Sequence, residues 1–394
     1  MQRLLYIAFS SASFFLVGVG IVLPPWVAFH AGGSELVGIV LLASSAAGLL
    51  LAPVAGYIVD RHDRSRVVMA GQAFRALGFL LLAPVGFVAT WLSPVLLVAS
   101  GISGAFGFAL LSGALSGILQ VIVPGAQRMA FALRLSLFNQ LGVAIGTGLA
   151  GLAIGRLGSP LTALVFAAVA VLLLPVLKAI DASPRKVREL ERRSLLSASR
   201  EALDYLLGNS ACLSAAATVG LAFAVIQITN LLLPGFVIRS LGGDSRLFGS
   251  LEMAAAISGM VALATASVGS VAKILRRYTC VILAGAGAAL VVFSFARNAA
   301  AATVLYCIAG MLWNVARAAA NGYLLTVVDT SMIGRVQAFT TLLTGAFGFA
   351  IYLLPAVMPG VTEASLYVAC GTAIVIFVGA VWQWGKRSQA ARSI

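Results

Sequence analysis

Apolar residues run through this chain in long continuous stretches, broken by short polar or glycine-bearing seams. About twelve such runs fall near 4–30, 34–59, 67–89, 94–123, 129–155, 160–179, 210–238, 246–271, 278–296, 299–328, 336–358 and 364–384, numbered below as spans one to twelve. A helix needs ~20 consecutive apolar residues to cross the hydrocarbon core, and the runs have that length. Barrel strands would alternate apolar and polar residues over ~10 positions, a pattern these runs do not follow. The sequence therefore predicts an all-α membrane protein with twelve transmembrane helices.

Composition supports the same solvent. Of 394 residues, 61% are hydrophobic and only 10% charged, more apolar surface than one soluble interior could hide. The first run, Met1 to His30, lacks a small-residue cleavage site and is too long for a signal peptide, so it reads as a retained span. Cys212, Cys280, Cys307 and Cys370 all lie in or beside apolar spans with no close pair, and read as small hydrophobes rather than disulfide partners or metal ligands.

The cations set the topology. With a cytoplasmic N-terminus, that side holds 19 of the 26 Lys and Arg residues, including Arg3, Arg61, Arg64, Arg66, Arg128, the cluster from Lys178 to Arg200, Lys273, Arg276, Arg277, Arg335 and Lys386 to Arg392. Arg156, Arg239, Arg246 and Arg297 fall on the opposite side, and Arg75, Arg134 and Arg317 fall inside spans. By the positive-inside rule both termini and the central loop are cytoplasmic. The net charge of +14 then reports topology and contact with anionic lipid, and its scatter over several loops argues against nucleic-acid binding.

The one long polar stretch, Asp181 to Asn209, divides the chain into residues 1–180, a six-helix bundle, and 210–394, a second one. Within this 181–209 linker, Ser199 to Asn209 places Ala202, Leu203, Leu206 and Leu207 on one helical face and ends on Gly208, as an interfacial helix does. Two anchors repeat between the halves. Gly269-Ser-Val-Ala-Lys273 follows span eight as Gly56 to Asp60 follows span two, and Gly334-Arg335-Val opens span eleven as Gln127-Arg128-Met opens span five. The carboxylate of the first seam is replaced by Lys273 in the second.

Few residues inside the spans carry chemistry. Glu252 stands about one and a half turns into span eight, where a carboxylate is costly unless paired or protonated. It is the candidate proton carrier, and an ion pair with Arg239 or Arg246 is the structural alternative. Asn314, Arg317 and Asn321 share one face of span ten beside Trp313, suiting an anionic ligand, with Glu252 as a distant partner or snorkelling as alternatives. Gln227 and Asn230 of span seven, Phe14 of span one and Phe108 of span four would supply polar handles and apolar walls to a central cavity, although each also suits helix packing. Snorkelling accounts for Arg75 and Arg134. Pro24-Pro25 breaks span one near its outer end.

The seam Gly56-x-x-x-Asp60-Arg61-x-x-Arg64-x-Arg66, with twelve spans and a basic central loop, resembles the major facilitator superfamily over essentially the whole chain. Asp63 and Ser65 stand where the usual signature has a glycine and a basic residue. The acid at 63, the amphipathic segment before span seven and the Gly334-Arg335-Val turn resemble the branch of macrolide-efflux pumps and the enterobactin exporter. Gly142-x-x-x-Gly146-Thr-Gly148-x-x-Gly151 resembles the antiporter glycine motif without its proline, and span four lacks the arginine and glutamine of many drug/proton antiporters. The resemblance implies that Asp60, with Arg61 and Arg64, latches the cytoplasmic ends of the two halves while Gly56 lets helix two approach helix eleven. A carboxylate near a helix N-terminus gains roughly 0.3–1 kcal/mol, enough to bias such an equilibrium.

The expected protein is then a monomeric, alternating-access secondary transporter of the cell inner membrane, in contact with lipid. It would export an amphipathic drug or siderophore against protons, with no metal, cofactor or catalytic residue. The sequence has no Gly-x-x-x-x-Gly-Lys-Ser/Thr loop for ATP. A proton-coupled importer of an organic solute, a lipid or lysolipid flippase and a non-transporting receptor are the alternatives. An enzyme is disfavoured because His30 and His62 fall in loops and no intramembrane carboxylate pair or His/Cys cluster occurs.

Overall fold

The computed structural model describes residues 2–124, 127–175, 203–266, 278–328 and 332–392, and among them there are helices and connecting turns but no strand. Nine helices among the described residues are long and apolar enough to cross a membrane, and Thr279–Phe293 is a shorter apolar one. Two of the nine each carry two spans. Helix Gln2–Arg61 leaves helical geometry at Gly32 and Gly33, and Arg128–Leu172 does so at Gly158. Gly33 (φ 67°) and Gly158 (φ 77°) occupy the left-handed region that a side chain disfavours, which places the hairpin turns there. Leu16 and Ser44 line the same cavity, whereas in one straight helix they would lie about 42 Å apart. Counted by passes, the twelve spans are present.

The turn sits later than Pro24-Pro25, which corrects the expected break. Both prolines lie inside the continuous first arm and border a cavity. Membrane helices tolerate proline where neighbouring helices or small residues accommodate the freed backbone, and the residue four before Pro24 is Gly20.

Packing divides the chain into two bundles joined at one end. Near the Gly32–Gly33 turn a single apolar cluster contains side chains from both halves, among them Leu16, Val40, Ala150, Phe236, Phe248, Tyr306 and Tyr367. Toward the Asp60–Arg66 end the core splits. Tyr6, Phe9, Val67, Leu110 and Leu115 form one cluster in the first half, and Leu206, Cys212, Ala215, Leu324 and Val336 form another in the second.

The joint is built by close backbone approach and a few polar contacts. A Cβ placed on Gly249 of span eight would meet the Thr147 carbonyl oxygen at 2.7 Å and Gly151 Cα at 2.8 Å, so the part of the span-five glycine motif that includes Gly151 is where the bundles touch. Ser245 Oγ donates to the Gly151 carbonyl at 3.1 Å, Arg246 Nη2 donates to the Gly155 carbonyl at 3.2 Å, and Trp26 stacks on Phe248 at 5.9 Å. Spans two and eleven still meet at mid-height, where Leu49 lies 3.9 Å from a Cβ built on Gly345. Beyond it, a Cβ on Gly56 would have nothing within 4 Å.

Residues 203–208 are helical and precede span seven, whose first turn is capped by the Asn209 side chain accepting from Cys212 N. Only part of the predicted apolar face is used: Leu206 is buried against the second bundle, whereas Leu203 and Leu207 are exposed. Residues 181–202, which hold most of the predicted linker, and the Gly269–Arg277 anchor lie outside the described residues.

Candidate functional site

Span eight begins at Ser245 because Asp244 caps it, its side chain accepting from the backbone N–H groups of Arg246 (3.0 Å) and Leu247 (3.1 Å). That start places Glu252 two turns inside the helix. Tyr306 of span ten, fully buried, donates its hydroxyl to Glu252 Oε1 at 2.9 Å. Around this pair Phe293 lies 5.2 Å and Trp313 5.5 Å from the Tyr306 ring, and Tyr367 lies 5.4 Å from Phe293. Neither cation considered for an ion pair reaches Glu252. Arg239 bonds Glu363 at 3.1 Å and Arg246 bonds Asp244 at 3.8 Å. A carboxyl held by one phenol among aromatic rings can exchange a proton without a fixed counter-ion leaving it.

On span ten, Arg317 Nη2 donates to Asn314 Oδ1 at 3.2 Å, and Asn314 Nδ2 donates to the Gly310 carbonyl at 2.9 Å. The guanidinium sits 5.5 Å over the Phe223 ring, and its buried Nε has no hydrogen-bond partner. Glu252 is therefore not its partner; the half-buried cation keeps donor capacity in hand. The third member of the predicted face, Asn321, is exposed and accepts from Gln337 Nε2 of span eleven at 3.1 Å.

The remaining predicted cavity residues separate. Gln227 Nε2 donates to the Thr344 carbonyl at 3.1 Å, tying span seven to span eleven, while its Oε1 is buried without a partner. Asn230 follows three positions on, partly buried. Trp313 belongs to the buried core rather than to an open wall. Phe14 and Phe108 meet edge to face at 6.1 Å, joining spans one and four. Phe108 also borders a cavity of about 270 Å³ inside the first bundle, between spans one, two, three and four.

That cavity corrects the reading of Arg75, whose side chain does not snorkel: the residue is only 5% exposed and lines the cavity. Arg134, by contrast, is exposed, as snorkelling requires. Glu363 is the other missed group, 1% exposed at the start of span twelve. It accepts from Ser34 Oγ at 2.5 Å and Arg239 Nη1 at 3.1 Å, and Arg239 lies 5.1 Å over the Phe29 ring. Ser34 and Phe29 come from the first half, so this cluster also crosses between bundles. Local sequence carried a hint only for Arg75, in the Gln72-x-x-Arg75 pair on one helical face.

At the opening seam, helix Gln2–Arg61 ends one residue after Asp60, whose side chain lies outside the described residues. The acid at a helix N-terminus is Asp63, accepting from Arg66 N at 3.0 Å. Arg64 Nη1 donates to the Gly117 carbonyl at 2.6 Å within its own bundle, and Arg61 lies 4.6 Å over its neighbour Tyr57. Here the two arginines make local contacts while Gly56 faces open space. Asp63→Ala is expected to cost about 1 kcal/mol through the lost cap, read as a lower unfolding temperature of the purified protein in detergent.

An all-helical, multi-pass membrane protein in two bundles joined at one end, with lone charged groups held inside, has the architecture of a transporter. The description of the Major Facilitator Superfamily matches residues 5–353, and the chain belongs to that family. Solved structures agree in fold. A mutant of the nucleoside transporter NupG superposes with a TM-score of 0.79 at 15% identity, covering 98% of this chain and 100% of its own. A bacterial homologue of the iron transporter ferroportin in an inward-facing state gives 0.75 at 16%, covering 98% of each. A peptide transporter, POT, in complex with alafosfalin gives 0.74 at 15%, covering 98% and 94%. No curated protein matches the chain in sequence.

Proposed function

We propose that the protein is a secondary active transporter that alternates its access and exports an amphipathic small molecule, a drug or siderophore, in exchange for protons. The observation that carries this reading is the one-ended joint: a shared core near Gly33 and two separate cores near Gly56. Rocking one bundle against the other would close the second end while opening the first. In that motion Gly56, Asp60, Arg61 and Arg64 would form the opposing latch, which their position at the open end allows. Residues 1–180 and 210–394 are the two rocking units, joined by residues 181–209. With the Asp60–Arg66 end cytoplasmic, as the cations direct, the present arrangement opens inward and the protein resides in the cell inner membrane.

Glu252 supplies the coupling site and Arg317, with Asn314, a cationic handle for cargo. Efflux rather than uptake rests on the resemblance of the Asp63-bearing seam to the efflux branch. Everted membrane vesicles with an imposed inside-acid gradient are expected to accumulate a lipophilic anionic dye or a catecholate siderophore, and a protonophore should release it. Accumulation only in right-side-out vesicles would make the protein an importer, and gradient-independent scrambling of fluorescent phospholipid would make it a flippase.

A further inference from the structure

We propose that the cavity inside the first bundle is a binding site for a small amphiphile with one anionic headgroup, and that Arg75 holds that headgroup. The inference deepens the transporter reading by naming the chemistry of a ligand.

Depth comes first. Arg75 lies in helix Arg64–Leu82, about 16 Å along the axis from Arg64, which is the middle of a ~30 Å hydrocarbon core. Its side chain stays inside the bundle, with the residue 5% exposed. A guanidinium there costs heavily unless something compensates it.

The protein compensates little. Arg75 forms one hydrogen bond among the described residues, Nη1 to Gln72 Oε1 at the long distance of 3.4 Å. No carboxylate of the described residues forms a salt bridge with it; the ion pairs there are Arg239–Glu363 and Arg246–Asp244. Gln72 is fixed from its other end, donating Nε2 to Ser13 Oγ at 3.1 Å, so its carbonyl is held toward the arginine. Five N–H donors against one long acceptor leave the guanidinium short of partners, and a carboxylate or phosphate could take two at once.

The cavity walls fit the rest of such a ligand. Leu16, Ile21, Leu41, Phe79 and Phe108 line it. The two serine hydroxyls there are already spent on backbone carbonyls, Ser44 to Val40 at 2.7 Å and Ser100 to Gly78 at 2.7 Å. Arg75 is thus the polar group with donors to spare among apolar walls. The lining residues Gly20 and Gly104 would carry a Cβ with nothing within 4 Å, so their lack of a side chain keeps space open. A volume of about 270 Å³ equals about nine water volumes, the scale of a carboxylate on a short chain.

Equilibrium dialysis of purified protein in neutral detergent against radiolabelled octanoate tests this without any gradient, so a failure of proton coupling or of the export direction leaves the result intact. One equivalent should bind to the unaltered protein, Arg75→Gln should weaken binding at least tenfold, and Arg75→Lys should retain most of it. Gly104→Leu should abolish binding with Arg75 in place, which keeps the test decisive should Arg75→Gln fail to fold. Octanamide should not compete. Equal binding by Arg75→Gln, equal competition by octanamide or full binding by Gly104→Leu would overturn the proposal. Competition by phosphatidylglycerol in nanodiscs, dependent on Arg75, would support the site and assign its anion to lipid; octanoate binding undiminished by that lipid would support it and assign a free solute.

Discussion

Replacing Glu252 with glutamine is expected to collapse proton-driven accumulation to the equilibrium level while leaving the protein inserted and folded. One proton moving down 100 mV supplies ~2.3 kcal/mol, enough to hold roughly a 50-fold gradient of a neutral solute, so the whole of that gradient is at stake. The substitution is nearly isosteric, and the glutamine carbonyl can still accept from Tyr306, which now holds Glu252 Oε1 at 2.9 Å. What it removes is the exchangeable proton. Counterflow of labelled against unlabelled substrate, which needs no net proton movement, should therefore persist, separating lost coupling from lost structure. Undiminished accumulation driven by a pH gradient in Glu252→Gln would remove Glu252 from the mechanism.

The second large effect should come from Gly249→Leu. A Cβ alone at this position would approach the Thr147 carbonyl to 2.7 Å and Gly151 to 2.8 Å, backbone atoms of span five that cannot turn aside as a flexible side chain could. The bundles must separate there to admit a leucine. Overpacking of this kind costs about 1–3 kcal/mol, which displaces a two-state population by roughly 5- to 150-fold. Transport should fall accordingly. A single reporter cysteine at Ser245, 2% exposed and bonded across the joint to the Gly151 carbonyl, should become at least tenfold more reactive toward an impermeant maleimide applied from the Gly33 side. Unchanged reactivity and turnover would show that this contact does not report the state of the transporter.

The two kinds of information in the sequence differ in reach. Helix number and approximate bounds followed from apolar run length, because the bilayer imposes one requirement on every span. The proposed division into two units was drawn from the polar stretch Asp181 to Asn209 and two repeated anchors. Glu252 was legible for the same reason: a carboxylate inside an apolar run is an exception to a uniform rule. Arg75 looked identical to Arg134 by that rule, since run length says nothing about which way a side chain points; one proved buried and the other exposed. Glu363 was less visible still. It stands at the edge of a span, where acids are ordinary, and its burial depends on Ser34 and Arg239, two residues far away in sequence. Pro24-Pro25 misled because local propensity predicts a break that tertiary packing overrides, while Gly33 and Gly158 provided the turns.

The forked core has a practical consequence for anyone trying to stabilise this protein. Apolar side chains such as Leu16, Phe236 and Phe248, in the cluster shared by both halves, are gathered together in only one of the two shapes the proposed cycle requires. A substitution that tightens that cluster would raise the melting temperature and brake the cycle with the same free energy. One that tightens Tyr6, Phe9 and Leu110, or Cys212, Ala215 and Leu324, acts within a single bundle and should harden the protein in every state equally. Thermostability and turnover should thus trade off for the first set and vary independently for the second.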